Sequence, residues 1–249
     1  MQREKYLNKE AGRSAMNPLI ISTGWYADNR GHNNPGASKM LYRPDWFGKY
    51  WFPMISMSME LEKLPEALFV YESNCEVRCD LTEIPVTIHV ERVRNLTSAI
   101  QQDHRHDWFC SVMMGAEYAL CNGCDLVYIE QDCFVKGLWK AIAYAQGIGH
   151  IYGYGRECSM GSGWAENSFM YVANDFLPEF LMVLNNRRWF EGKGSPMPEV
   201  MWHEVFKNYD EVSFWPFGVG RKRPIPWEDE IYFAQQLTDG EIEKFAEVL

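Results

Sequence analysis

The stretch CDLVYIEQDCFV, Cys124–Val135, decides the fold of this 249-residue chain. Within it, Leu126–Glu130 predicts a buried strand, because four of these five residues are Leu, Val, Tyr and Ile. Two carboxylates, Glu130 and Asp132, then stand one residue apart at the end of the strand. Ligands of open α/β sheets bind beyond the carboxyl ends of the strands, so this pair is placed where a substrate is expected.

Other apolar runs, each bounded by turn residues, predict the rest of a sheet. The stronger candidates are Pro18–Thr23, Ala67–Glu72 and Val86–Glu91, and the weaker ones are His150–Tyr154, Ser168–Val172 and Val212–Phe217. Helical patterns lie between several of these runs, and such alternation is typical of an α/β fold with a mainly parallel sheet. The chain shows no linker and no internal repeat, which favours a single domain.

Apolar residues at helical spacing predict the helices that would flank this sheet. The first begins at Asp107, with that residue as its N-cap, and the second covers Gly137–Gln146. A third follows Asp175, and a fourth begins near Pro196. The last follows the capping box Thr238–Glu241.

The charge of the chain limits its partners. It has 34 acidic against 24 basic residues, a net charge of −10, which disfavours nucleic acid because affinity there rests on Lys and Arg meeting phosphates. An anionic small substrate would need a cation or a local basic cluster. No run approaches the ~18 apolar residues of a membrane span. The polar N-terminal segment lacks the apolar core of a signal peptide. We therefore expect a cytoplasmic protein whose seven cysteines are reduced thiols.

The carboxylate pair at the strand end has three possible roles on the residues alone. Glu130 and Asp132 could bind a metal or perform general acid/base chemistry, or Asp132 could cap the helix over Gly137–Gln146. Carboxylate oxygens suit Mg²⁺ or Mn²⁺, which take one or two protein carboxylates and complete their shell with water and substrate phosphate.

The segment around this pair resembles the central part of the GT-A-fold, nucleotide-sugar-dependent glycosyltransferases. In that family a helix ends in an Ala-x-x-x-Gly-like turn, and an Asp opens a hydrophobic strand that finishes in an Asp-x-Asp-type motif. The matching positions here are Gly115, Ala119, Gly123, Asp125 and Glu130–Gln131–Asp132. The sequence departs from the pattern in having Glu130 at the first acidic position, which leaves Asp132 as the surer metal ligand.

The resemblance is specific over Asp107–Val135, extends in topology over Pro18–Glu91 and is loose after Gly149. It implies one GT-A-like, Rossmann-like domain, with residues 17–135 as the nucleotide-sugar-binding half. Residues 136–249 would form the acceptor-binding half, with a less regular C-terminal lid region.

The activity implied by the resemblance is a metal-dependent glycosyl transfer. A nucleoside-diphosphate sugar would be the donor and a glycan or another hydroxyl-bearing molecule the acceptor, as in glycan or polysaccharide synthesis. Mn²⁺ or Mg²⁺ would bridge the donor's diphosphate and stabilise the leaving phosphate. Two alternatives remain, a sugar-phosphate nucleotidyltransferase and a nucleotide- or sugar-binding module without turnover.

Donor contacts are expected at several positions besides Glu130 of the acidic pair. In the family the loop after the first strand holds the base and ribose, which makes Thr23 and Gly24 candidates, with an ordinary surface loop as the alternative. Asp107 either faces the nucleotide or only caps its helix. A late basic loop that carries Arg221 and Arg223 could clamp phosphate with forked donors, or it is a solvated turn.

A general base is required only if the reaction inverts the configuration of the sugar, since the acceptor hydroxyl then loses its proton as it attacks. In inverting relatives this carboxylate follows the acidic motif and often lies near a helix start. Glu199 fits that position, and Glu204, Glu228 and Asp229 are its rivals.

The remaining candidates concern the third metal ligand and the acceptor. His203 could complete the metal site, although a single histidine in a helix is also commonly structural. Trp164, with Glu166 and Asn167 close behind it, could bind an acceptor sugar, because aromatic rings stack on sugar faces.

Overall fold

The structure is a computed structural model that describes residues 17–25, 38–43, 46–59, 65–72, 87–92, 104–148, 152–155, 166–186, 206, 209–210, 212–217 and 223–248. Its centre is a seven-stranded sheet in the order β3-β2-β1-β4-β7-β6-β8. The strands of this sheet are β1 Leu19–Trp25, β2 Ala67–Glu72, β3 Thr87–Arg92, β4 Asp125–Ile129, β6 Tyr152–Gly155, β7 Glu166–Val172 and β8 Val212–Trp215. A separate antiparallel pair joins β5, Cys133–Lys136, to β9, Tyr232–Gln235.

The central sheet is mainly parallel, as the sequence predicts. Strands β1, β2, β3 and β4 run in one direction, and β6 and β8 run parallel to each other. Only β7 opposes its neighbours, because it pairs antiparallel with both β4 and β6. The carboxyl ends of β1 and β4 therefore lie at the same edge of the sheet as the amino end of β7.

Helices cover both faces of this sheet. They are α1 Phe52–Ser58, α2 His104–Cys121, α3 Leu138–Ile148, α4 Leu177–Leu184 and α5 Asp239–Val248, with short 3-10 turns at Lys39–Tyr42 and Asn174–Phe176 and a π-helical turn at Phe47–Trp51. No helix within the described ranges is long and apolar enough to cross a lipid bilayer.

Two hydrophobic cores form on the two faces, and neighbouring residues of the central strands alternate between them. Ile20 and Leu126 belong to the core under α2 and α4, whereas Ile21 and Val127 belong to the core against α1, α3 and α5. A strand that is buried on both faces reads as a continuous apolar run. This explains why β1 and β4 were recognisable from the sequence.

Helix α2 packs tightly on β1 at Gly115. A Cβ atom added there would lie 2.2 Å from Oγ and 2.7 Å from Cβ of Ser22 on β1. Only the absence of a side chain lets the helix pack at this distance. The glycine position of the family pattern therefore has a packing role in this chain.

The predicted helix boundaries are only partly correct. Helix α2 begins at His104, so Asp107 lies inside its first turn and the predicted N-cap is wrong. The three residues before Asp107 carry no apolar periodicity, so the pattern could not show that the helix includes them. The capping box of α5 is confirmed, since the Thr238 N–H donates to the Glu241 carboxylate at 2.9 Å and the Glu241 N–H donates to Thr238 Oγ1 at 3.3 Å. The helix predicted near Pro196 lies outside the described residues.

Candidate functional site

The acidic pair lies in the turn that connects β4 to β5. The Glu130 N–H donates to the Ser168 carbonyl of β7 at 2.9 Å, which continues the sheet pairing by one residue. The Cys133 N–H then donates to the Glu130 carbonyl at 3.0 Å and closes the turn. Glu130 and Asp132 therefore stand at the carboxyl end of β4, as the sequence predicts.

Two buried tryptophans fix the backbone of this turn. The Trp46 indole N–H donates to the Gln131 carbonyl at 3.1 Å, and the Trp51 indole N–H donates to the Glu130 carbonyl at 3.2 Å. The side chain of Gln131 donates in turn to the Leu41 carbonyl at 2.9 Å. Because buried hydrogen bonds of this kind restrict the backbone, the two carboxylates are attached to a rigid turn.

A glutamine from β9 joins the two carboxylates. Gln235 Nε2 donates to Glu130 Oε2 at 2.5 Å and to Asp132 Oδ1 at 3.1 Å. The carboxylates of Glu130 and Asp132 therefore converge on one point, which the amide nitrogen occupies. Asp132 is 4% exposed and Gln235 is 2% exposed, whereas Glu130 is half-buried. A ligand from solvent would meet Glu130 first.

The chemistry of this cluster fits a divalent cation that is completed by a substrate. Two carboxylate oxygens that face one point are the protein share that Mg²⁺ or Mn²⁺ typically takes, and phosphate and water fill the other positions. Within the described part of the chain, no group of three or more His, Cys, Asp or Glu residues could hold a metal ion. Gln235 adds a further oxygen, because its Oε1 is buried and has no hydrogen-bond partner in the part of the chain that the structure describes.

Arg223 lies close to the cluster but is engaged with protein groups. Its Nε lies 2.5 Å from Glu241 Oε1, and its Nη2 donates to the carbonyls of Gln235 and Gln236, at 3.3 Å each. Burial alone would raise the pKa of Glu241, but hydrogen bonds from Arg223 and Thr238 bring that pKa below its usual range. Arg223 thus holds the end of β9 in place, and its charge is paired with Glu241.

The two predicted donor contacts on β1 lie beside the acidic pair. Strands β1 and β4 are paired in parallel with Ser22 opposite Tyr128, which brings Gly24 level with Glu130 two residues further along. Thr23 is buried, and its Oγ1 donates to the Gly24 carbonyl at 3.3 Å. Any contact of this strand end with a nucleotide would therefore come mainly through the backbone of Gly24.

Gly24 packs against a buried pair of hydroxyl groups. Ser111 Oγ and the Tyr128 hydroxyl lie 2.9 Å apart, and a Cβ atom on Gly24 would come within 2.8 Å of Ser111 Oγ. Burial, followed by the charge of Glu130, raises the pKa of Tyr128 far above its usual range. The phenol therefore stays protonated and acts as a fixed hydrogen-bonding group.

Two of the rival general bases, Glu228 and Asp229, lie away from the acidic pair. Glu228 and Asp229 are exposed and precede β9, at the end of the β5–β9 pair opposite to Gln235. Glu166 opens β7 at the same edge of the sheet as Asp132, but its side chain is not among the described ones. The side chain of Asp107 is likewise outside the described part, as are the following residues in full: Trp164, Glu199, His203, Glu204 and Arg221.

The aspartate that opens β4 has a structural role at the opposite edge of the sheet. Asp125 is buried and accepts hydrogen bonds from the Tyr171 hydroxyl at 2.7 Å, Gln146 Nε2 at 2.8 Å and the Asn174 N–H at 2.9 Å. It therefore ties β4 to β7, to α3 and to the 3-10 turn before α4.

Sequence reasoning missed three residues of the site. Gln235, Trp46 and Trp51 contact the acidic turn from segments that lie about 80 to 105 residues away along the chain. Short motifs cannot reveal such contacts, because their partners are brought together only by the tertiary fold. The crowding of aromatic residues before Pro53 was the one visible signal.

Comparison with solved structures identifies the architecture. An inositol-1-phosphate CTP transferase from T. maritima aligns over 94% of this chain and 97% of its own, at 12% identity and a TM-score of 0.51. A Bacillus anthracis protein, provisionally assigned as a glucose-1-phosphate thymidylyltransferase, aligns over 94% of this chain and 95% of its own, at 10% identity and a TM-score of 0.50. The fold is GT-A-like. At these identities the similarity establishes the fold alone.

Other comparisons add little to that assignment. A glycosyltransferase involved in glycosylation of the major capsid of PBCV-1 aligns over 93% of this chain and 98% of its own, with a TM-score of only 0.45 at 10% identity. No protein-family model matches the sequence, and no curated protein matches it.

Proposed function

We propose that the protein is a metal-dependent glycosyltransferase that moves a sugar from a nucleoside-diphosphate donor to an acceptor hydroxyl. One observation carries the proposal: the carboxylates of Glu130 and Asp132 converge on a single point at the carboxyl end of β4, next to Gly24 of β1. The resemblance of the central segment to nucleotide-sugar-dependent glycosyltransferases supports the same reaction. We also propose a cytoplasmic location, because the four cysteines within the described ranges, Cys110, Cys121, Cys124 and Cys133, are free thiols.

In this reaction the chain's own residues bind and orient the donor. Glu130 and Asp132 would hold Mn²⁺ or Mg²⁺, which when bound neutralises the diphosphate and stabilises it as the leaving group. Trp46 and Trp51 keep the acidic turn in one position, which preserves the geometry that transfer requires. The backbone of Gly24 would face the nucleotide. With a net charge of −10 and with Arg223 paired to Glu241, the protein would rely on such a cation to accept a diphosphate.

Thermal stability measured with a set of nucleotide sugars tests this proposal. UDP-, GDP-, CMP- and dTDP-sugars are each added with and without Mn²⁺, and the true donor should raise the melting temperature only when the metal is present. Asp132→Asn, which keeps the size of the side chain, should abolish that shift and the sugar transfer. Glu228→Gln is the matched control, because it removes an exposed carboxylate at the far end of β9 and should change neither readout.

Two results would contradict the proposal. The first is the absence of any metal-dependent shift across the four donor classes. The second is full transfer activity in Asp132→Asn. Donor binding that survives without metal and without turnover would indicate a binding module instead.

Sugar-phosphate nucleotidyl transfer is the second candidate. It is favoured by the activities assigned to the two solved proteins with TM-scores of 0.50 and 0.51, one provisionally a thymidylyltransferase and the other a CTP transferase. The same metal site would then bind a nucleoside triphosphate. Incubation with each nucleoside triphosphate, Mg²⁺ and a sugar 1-phosphate separates the two reactions, because only nucleotidyl transfer releases pyrophosphate.

A further inference from the structure

The amide of Gln235 has an unusual environment. Its Nε2 donates to two carboxylates, Glu130 and Asp132, while its Oε1 is buried without a hydrogen-bond partner among the described residues. A buried acceptor without a partner costs free energy, so its retention needs a reason. The amide nitrogen carries partial positive charge and stands at the point where the two carboxylates converge. It occupies the place that a cation would take.

We propose that Gln235 is the third protein ligand of the metal site and that its side-chain amide rotates by a half-turn when the cation binds. The inference rests on the metal of the proposed function. Without metal, the N–H groups of Gln235 neutralise Glu130 and Asp132. With metal, a half-turn about the last side-chain torsion presents Oε1 to the cation, since a glutamine amide has donors at one end and an acceptor at the other. The unpartnered oxygen then gains a ligand.

The backbone around Gln235 confines this change to the side chain. Gln235 is paired with Cys133 between strands β5 and β9, and its carbonyl accepts a hydrogen bond from Arg223 Nη2 at 3.3 Å. The next residue, Gln236, donates its N–H to the Asp132 carbonyl at 3.1 Å. The last side-chain torsion of glutamine is broad and roughly two-fold, so the amide can turn without a change in the backbone.

Binding of Mn²⁺ alone, followed through the paramagnetic signal of the free ion, tests the ligand role without any nucleotide. Gln235→Met keeps the length of the side chain and removes both the amide nitrogen and the amide oxygen. We expect it to weaken Mn²⁺ binding by about 10- to 100-fold, the loss typical when a supporting group of a metal site is removed. Gln146→Met is the matched control, because Gln146 also donates to a buried carboxylate, that of Asp125, but at the opposite edge of the sheet. It should leave Mn²⁺ affinity unchanged.

A second variant keeps the test decisive if Gln235→Met folds poorly. Gln235→Glu places an oxygen at both terminal positions, in place of the amide nitrogen and the amide oxygen. It should bind Mn²⁺ more tightly than the wild type, and it should be less stable without metal because three carboxylates then repel one another. The contrast between the metal-free and metal-loaded melting temperatures measures both effects.

Three outcomes would overturn the inference. A wild-type protein that binds no Mn²⁺ at millimolar concentration has no such site. Tighter Mn²⁺ binding by Gln235→Met would mean that the glutamine only competes with the cation. Unchanged or weaker binding by Gln235→Glu would exclude the side-chain oxygen as a ligand. Because these assays contain no nucleotide, their results are independent of the donor screen that tests the proposed function.

Discussion

Substitution of Gly115 by alanine tests how closely α2 packs on β1. In an isolated helix this change stabilises by about 1 kcal/mol, because alanine has the higher helix propensity. In this fold the new Cβ atom would lie 2.2 Å from Oγ and 2.7 Å from Cβ of Ser22. Rotation of the serine side chain can relieve the first contact but not the second. The helix must therefore move away from the strand.

The expected magnitude follows from these two opposing effects. Overpacking of a tight contact costs about 1–3 kcal/mol, and the backbone displacement required here favours the upper end. After the gain in helix propensity, the net loss should be about 2 kcal/mol. For a chain of this length each kcal/mol shifts the melting temperature by about 2–4 °C, so a decrease of about 4–8 °C is expected.

Calorimetry or urea unfolding of Gly115→Ala and three further variants measures this effect. Gly147→Ala is the matched control, because a Cβ atom on that helical glycine meets nothing within 4 Å, and stability should rise slightly or stay unchanged. Ser22→Gly removes the atoms that Gly115→Ala would strike. The double variant should therefore recover most of the loss, with a favourable coupling free energy of about 2 kcal/mol. If Gly115→Ala stabilised the protein as Gly147→Ala does, the packing argument would be refuted.

Three further predictions concern polar side chains that accept hydrogen bonds. Asp125→Ala removes the acceptor of the Tyr171 hydroxyl and of two other donors. It should lower the free energy of unfolding, measured by urea titration, by about 3 kcal/mol. The same change at an exposed carboxylate such as Glu228 should be tolerated. Thr238→Ala removes the side-chain cap of α5 and should cost about 1 kcal/mol by the same measurement, a loss that Thr238→Ser should largely avoid. Because the pKa of Glu241 is lowered in the folded state, its ionised form stabilises the fold above about pH 4.5, and that contribution is lost as the pH falls through the lowered pKa. The destabilisation caused by Glu241→Gln should therefore shrink on acidification from about pH 5 to pH 3, and a constant difference would argue against the ion pair.

Strands β1 and β4 of the central sheet were predictable because they are buried on both faces. The runs at Ala67–Glu72 and Leu126–Glu130 match β2 and β4 closely, since continuous apolar residues mark such strands. Strands β5 and β9 were not predicted. Each has only four residues, and their pairing joins Cys133 to Gln235, so no local pattern reveals it. Helix α1 also escaped notice, because its sequence FPMISMS lacks a polar face.

The position of the site was predictable, but its construction was not. The acidic pair follows a buried strand, and that alone places Glu130 and Asp132 at the edge where ligands bind. The sequence favoured Arg223 as a phosphate clamp, yet the fold pairs this cation with Glu241. A local motif shows which charges are present but not which of them neutralise each other, because that depends on contacts between distant segments.

The pairing of β5 with β9 also sets an order for assembly during synthesis. Residues 130–133 leave the ribosome about one hundred residues before Gln235 does. Until then, nothing from β9 is available to donate a hydrogen bond to Glu130 and Asp132. The N-terminal strands can associate early, but the cluster around the acidic pair is complete only after β9 has been synthesised.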